Sequence, residues 1–130
     1  MRIIRLPGIH HDANAVIFSG KDANILVDAG TTWYQMLQVE RIKGHIGDDG
    51  LHKILLTSRR YPFSGAAKHI SESFGDAPIH IHDDAISILE TGDFYSTWAR
   101  YDSDMPSTNC KQVRQGDVFP LGDGELFACL

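Results

Sequence analysis

Apolar and charged positions mix from the first residues onward. Met1-Arg2-Ile3-Ile4-Arg5 alternates in the manner of a β-strand, which predicts a strand there rather than a secretory leader. Two further β-prone runs, residues 15–19 and 24–28, flank Gly20-Lys21-Asp22, a tight-turn composition, and predict an antiparallel hairpin. Trp33, Met36, Val39, Ile42 and Ile46 then recur at three- and four-residue steps, which places them on one helical face until Gly47-Asp48-Asp49-Gly50 breaks the pattern. Residues 53–57 read as a buried strand. Ala67, Ile70 and Phe74 mark a second helical face ended by Gly75, and residues 78–81 return to strand. The order is β-β-α-β-α-β, and the spacing of the strands that begin at 24, 53 and 78 suits helical crossovers between parallel neighbours.

Beyond this unit, residues 84–90 predict one more short helix, and the polar, weakly periodic stretch 91–109 reads as a long excursion loop. Residues 113–121 and 125–130, joined by Gly122-Asp123-Gly124, predict a closing hairpin. The fold class is α/β, a mixed β-sheet with helices on one side, in a single domain over residues 1–130, without internal repeat or low-complexity segment.

Composition narrows the function classes. A chain of 130 residues with 42% hydrophobic and 22% charged positions can bury one core and is neither disordered nor a disulfide scaffold. Its net charge of -5 offers no basic field for nucleic acid or an anionic membrane, and no apolar run has the length of a bilayer span. Cys110 and Cys129 form no CxxC motif, which fits reduced thiols and a cytoplasmic location.

Ligands of open α/β sheets collect beyond the carboxyl ends of the parallel strands. That rule selects Asp28-Ala29-Gly30, residues 57–65 and His82-Asp83-Asp84 as one rim. Asp28 could orient a ligand, although a turn cap is the simpler role. Arg59 and Arg60 could clamp an anion or lie as a solvated pair. Ser64 suits an N-cap, and Ser58 has no adjacent His and carboxylate to make it a nucleophile. His10-His11-Asp12 and His80-x-His82 with Asp83 and Asp84 could bind metal. The simpler reading is surface placement, because His10 and His11 point apart if extended and His80 and His82 share a strand face. Trp33, Met36 and Ile42 read as core or interface.

Several stretches together resemble the metallo-β-lactamase fold, especially the glyoxalase-II-like hydrolases: Asn14-Ala15-Val16-Ile17, Ile25-Leu26-Val27-Asp28-Ala29-Gly30, Ile54-Leu55-Leu56-Thr57, Ser64-Gly65-Ala66, Ala77-Pro78-Ile79-His80-Ile81-His82 and Gly116-Asp117-Val118-Phe119-Pro120-Leu121-Gly122. The resemblance covers residues 14–130 and implies the first half of a fold in which two sheets pack face to face between helical layers. In that family the strand ending in Thr is followed by His-x-His-x-Asp-His and Gly. Here the four ligand positions hold Ser58, Arg60, Pro62 and Phe63.

A hydroxyl, a guanidinium cation, a pyrrolidine ring and a phenyl ring do not make a zinc site, so no metal or other cofactor is expected. The resemblance places the remaining family ligands, a His and a bridging Asp, beyond residue 130. The expectation is therefore a degenerate member without zinc-dependent hydrolysis, acting as a binding or structural partner. The alternative is a glyoxalase-II-like hydrolase with rebuilt or partner-supplied catalytic residues. Asp28, Ser58, Arg59, Arg60 and Ser64 are the candidate ligand-binding residues, and a small anion is the ligand their charge favours. A half-fold would also leave one sheet face bare, which implies a homo-oligomer or a partner chain that covers it.

Overall fold

The computed structural model describes residues 1–92 and 94–130. Its frame is a six-stranded sheet whose strands lie in chain order. Three of them, β1 (Arg2–Leu6), β2 (Ala15–Ser19) and β3 (Asn24–Val27), form an antiparallel meander. From β3 onward the sheet is parallel, through β4 (Lys53–Leu55), β5 (Ile79–His82) and β6 (Lys111–Val113). The connections are α1 (Gln35–Ile46), the short α2 (Tyr61–Ser64) with α3 (Ala67–Ser73), and α4 (Asp83–Thr91) with α5 (Phe94–Tyr101). A separate antiparallel hairpin, β7 (Val118–Pro120) and β8 (Glu125–Phe127), closes the order.

The two-residue period of the strands divides the apolar side chains between the two faces. Ile17, Leu26, Ile54 and Ile81 point to one face and pack with Val39, Ile42 and Ile46 of α1, Ala67 and Ile70 of α3, and Leu89 of α4. The opposite face carries Phe18, Ile25, Leu55 and Val113, which meet Phe119, Leu121 and Leu126 of the hairpin. Among the described residues, α1, α3 and α4 pack on one side of the sheet and the hairpin on the other, as the sequence predicts.

Three local expectations are corrected. The face of α1 is Gln38, Val39, Ile42 and Ile46, whereas Trp33 and Met36 are exposed. A 3-10 turn at Thr32–Tyr34 precedes the helix and takes Trp33 out of its phase. The stretch read as a loop over 91–109 contains α5. That helix is amphipathic, with Thr97 buried, and its Tyr101 packs against Tyr61 and Trp33, partners that local polarity does not disclose. Asp93, in the same stretch, lies outside the described residues.

The third correction concerns residues 113–121, which are not one strand. Val113 ends β6 in the main sheet, paired with His82. A turn follows, in which the Arg114 N–H donates to the Asp117 carboxylate at 2.8 Å and the Asp117 N–H donates to the Arg114 carbonyl at 3.1 Å. Helix α4 matches the expected 84–90 closely. Its first turn carries Asp83 and Asp84, and Gly92, at φ 89°, ends it by donating to the Ile88 and Leu89 carbonyls.

The hairpin is fixed to the β2–β3 turn. The Asp22 N–H donates to the Leu121 carbonyl at 2.8 Å, the Lys21 N–H to Asp123 at 2.9 Å, and the amino terminus pairs with Asp123 at 2.7 Å. Gly20 makes this contact possible, because a Cβ there would lie 2.4 Å from the Leu121 carbonyl oxygen. Gly20→Ala should displace the hairpin and lower stability by about 1–3 kcal/mol, the usual cost of overpacking. Urea unfolding followed by circular dichroism measures the loss, and an unchanged midpoint would show that the turn relaxes freely.

Candidate functional site

The carboxyl ends of β3, β4 and β5 converge with the β1–β2 loop at one edge of the sheet, where the sequence-selected segments lie. Asp28, immediately after β3, is 6% exposed and has φ +65°. Its carboxylate accepts the Thr57 N–H at 2.8 Å and the Thr57 hydroxyl at 2.7 Å, so it ties the end of β3 to the end of β4. Burial raises its pKa above the ordinary carboxylate value, against the lowering effect of the two Thr57 hydrogen bonds.

Ser64, fully buried, donates to the Arg59 and Arg60 carbonyls at 2.7 and 3.0 Å and thereby closes the loop that precedes α2. Ser58 accepts the Arg60 N–H at 3.1 Å. The polar atoms of Asp28, Ser58 and Ser64 thus serve the loop's own geometry, while Arg60 is exposed at the rim and Arg59 is half-buried.

The backbone of this loop is equally engaged. The Pro62 carbonyl accepts from Ala13 at 3.0 Å and the Phe63 carbonyl from Ala29 at 2.8 Å, which sews residues 58–65 to the β1–β2 loop and to the end of β3. Beneath the loop lies Tyr61, only 1% exposed. Its ring centroid is 5.8 Å from Trp33 and 5.3 Å from Tyr101, and His11 stands edge-on to Trp33 at 5.6 Å and to Tyr101 at 5.8 Å. The Tyr61 hydroxyl accepts the Thr32 N–H at 3.2 Å and shares a hydrogen bond with the Thr32 hydroxyl. Aromatic and hydroxyl side chains therefore fill the interior under this part of the rim.

The histidines separate. His10 bonds through Nδ1 to the Tyr34 hydroxyl, while the His11 ring sits between Trp33 and Tyr101, so the two are drawn to different partners. Asp12, their neighbour, accepts the N–H and hydroxyl of the fully buried Thr31. His80 packs edge-on to Phe119 at 5.4 Å with a buried Nε2 that has no partner among the described residues, and burial, followed by Lys53 and Lys111, lowers its pKa. His82 instead accepts the Asp84 N–H at 3.3 Å through Nδ1 at the start of α4. The ligating atoms of His82, Asp83 and Asp84 lie within 4.8 Å of one another and all three residues are exposed, the arrangement of a helix cap with acidic first-turn neighbours. Cys110, half-buried beside Glu90, is pushed up to about 11 by burial first and the carboxylate second, so it stays a thiol.

Asp12, Thr31 and Tyr61 are the rim residues that the sequence reading passed over in these roles. Asp12 is visible there only as a neighbour of His10 and His11, and Tyr61 only as a spacer in the segment that resembles the metal-binding motif. Their partners lie far away in the chain.

A mixed sheet in this strand order, helices on one face and a hairpin on the other define the metallo-β-lactamase fold, as the sequence resemblance implies. The chain is similar to BJP-1, a subclass B3 metallo-β-lactamase of Bradyrhizobium japonicum, at TM-score 0.74 and 22% identity, with 88% of this chain and 44% of that one covered. It is also similar to FEZ-1 from Legionella gormanii, at TM-score 0.73 and 16% identity over 90% and 46% of the two chains. A third such structure is SMB-1 in complex with mercaptoacetic acid, at TM-score 0.71 and 23% identity over 92% and 46%. The chain thus spans less than half the length of each. No family model and no curated protein matches the sequence. Among the described residues, no helix is long and apolar enough to cross a membrane.

Proposed function

We propose that this chain works without the binuclear zinc centre of the fold it shares, as a binding or structural component rather than a hydrolase. The loop after β4 carries this reading. At the positions where the resemblance calls for three imidazoles and a carboxylate, the chain presents the Ser58 hydroxyl, the exposed Arg60 guanidinium, and the Pro62 and Phe63 rings. The first is a weak donor, the second repels a cation, and the last two have no donor atom. The donor set does not fit zinc. His10 and His11 offer no replacement, since their partners draw them apart.

Elemental analysis of the 130-residue protein purified without chelator tests the reading. The expected result is far less than one zinc, iron or manganese ion per chain, together with a melting temperature that added zinc does not raise. A stoichiometric metal that is lost in His10→Ala/His11→Ala or in His80→Ala/His82→Ala would overturn it and restore the hydrolase alternative.

A further inference from the structure

Beneath the hairpin the sheet carries a histidine. Ile79 and Ile81 of β5 pack toward the helices, so the two-residue period turns His80 to the opposite face. There its ring stands edge-on to Phe119, which is 7% exposed, and its Nε2 is closed off from solvent with no hydrogen-bond partner among the described residues. Neutral imidazole needs an N–H on one nitrogen only, whereas imidazolium carries an N–H on both and a charge besides. The neighbours oppose that charge. Lys111 of β6 faces His80 across the ladder, and Lys53 of β4, on its other side, holds its ammonium 5.5 Å over the Phe119 ring. Asp117, in the turn before β7, acts in the opposite sense, while His82 follows on the same face of β5 and is exposed.

The polar ties between hairpin and sheet lie elsewhere. They gather at the β2–β3 turn, where the Asp22 N–H donates to the Leu121 carbonyl and the Lys21 N–H to Asp123. At the other end, Gly116, with φ 88°, lies in the turn that leads from β6 into the hairpin. Between these two points Phe119, Leu121 and Leu126 meet Phe18, Ile25, Leu55 and Val113 through apolar packing. His80 is the titratable side chain that rests directly against this packed layer.

We propose that His80 is a proton-operated latch: as its imidazole takes up a proton, Phe119 loses its seat and the β7–β8 hairpin loosens from β4, β5 and β6 while the rest of the sheet holds. The latch lies under the hairpin and not in the loop after β4, so it stands or falls apart from the zinc reading. Burial first, then Lys53 and Lys111, hold the His80 pKa below the ordinary histidine value, against the opposing Asp117. The contribution of the docked hairpin is therefore fully present above the ordinary histidine pKa and is lost as pH falls through the lower pKa of the docked state.

Amide hydrogen exchange of the 130-residue chain is the test, followed by NMR at about pH 7.5 and about pH 5 and corrected for the intrinsic rate at each pH. The Asp22 amide, which donates to Leu121, and the Leu121 amide, which donates to Gly124, report on the hairpin, and the Ile54 amide, which donates to Pro78, reports on the sheet. Protection at the two hairpin amides should fall about tenfold or more on acidification, the effect of a buried N–H without an acceptor, with the Ile54 amide unchanged. Asp123 keeps its anchor in this window, because its pKa is lowered from the ordinary carboxylate value. His80→Phe keeps a ring against Phe119 and takes up no proton, so its hairpin protection should be equal at both pH values. His82→Gln, on the same strand face but exposed, should respond as the wild type does. If His80→Phe fails to fold, His80→Gln takes its place with the same expectation. Hairpin protection in the wild type that does not change with pH, that falls together with the Ile54 amide, or that falls equally in the His80 variant would overturn the latch.

Discussion

Asp28→Ala should destabilise the folded chain by about 2–4 kcal/mol, read as a shift in the urea midpoint at constant slope. The substitution removes the acceptor of the Thr57 N–H and hydroxyl, and a part-buried amide without its partner costs about 1–3 kcal/mol. It also leaves a plain Cβ at φ +65°, in the left-handed region that costs an ordinary residue about 1–2 kcal/mol. Asp28→Gly separates the two effects, since it loses the same hydrogen bonds without the Cβ penalty and should fall about 1 kcal/mol less.

The same site has a pH signature. Because the folded pKa of Asp28 is raised above the unfolded value, the folded state binds its proton more tightly. The stability linked to that proton is fully present below the unfolded carboxylate range and is lost as pH rises through the folded pKa. Asp123 runs the other way. Its hydrogen bonds from the amino terminus and the Lys21 N–H lower its pKa, so its contribution is present above the unfolded value and lost as pH falls through the folded one. Asp28→Asn, which keeps the shape and tolerates the left-handed backbone, should therefore gain on the wild type as pH rises from 3 toward neutrality. Parallel stability curves for the two proteins would show that burial does not govern this carboxyl.

Tyr61→Ala should be costlier still, at about 3–5 kcal/mol, the range for removing a large buried aromatic side chain. The ring fills the space under the loop that resembles the metal-binding segment and touches Trp33 and Tyr101, so its loss opens a cavity where three separate parts of the chain meet. Tyr61→Phe isolates the hydroxyl and should cost about 1–2 kcal/mol through the Thr32 N–H that it leaves without this acceptor. The neighbouring Gly65 admits the ring, since a Cβ there would stand 2.7 Å from it. Near-ultraviolet circular dichroism, which reports the packing of Trp33, should change in the Ala variant and persist in the Phe variant. A Tyr61→Ala protein as stable as the wild type would mean that the loop rests on its backbone hydrogen bonds alone.

The periodicity of the chain was enough for the elements whose stability is local or repeats along the sequence. The β2–β3 hairpin, helices α1, α3 and α4 and the strands β3, β4 and β5 carry a period, a turn or a cap in their own residues, and the spacing between those strands dictated the crossovers. The residues that stand where the resemblance places metal ligands, Ser58, Arg60, Pro62 and Phe63, are identities and need no geometry to be read.

Other features depended on contacts between residues distant in the chain. Helix α5 lies in a polar stretch and finds its apolar partners, Tyr61 and Trp33, only in the folded molecule. Val113 reads as part of the closing hairpin, yet it completes the main sheet because β5 offers it a parallel edge and a turn at 114–117 directs the following chain away. The roles of Asp28, Ser64 and Tyr61 as ties within the rim were likewise decided by tertiary structure, since a carboxylate, a hydroxyl and a ring read the same whether they face a ligand or another loop. Their burial and their partners make the difference, and those are set by the packing of the whole chain.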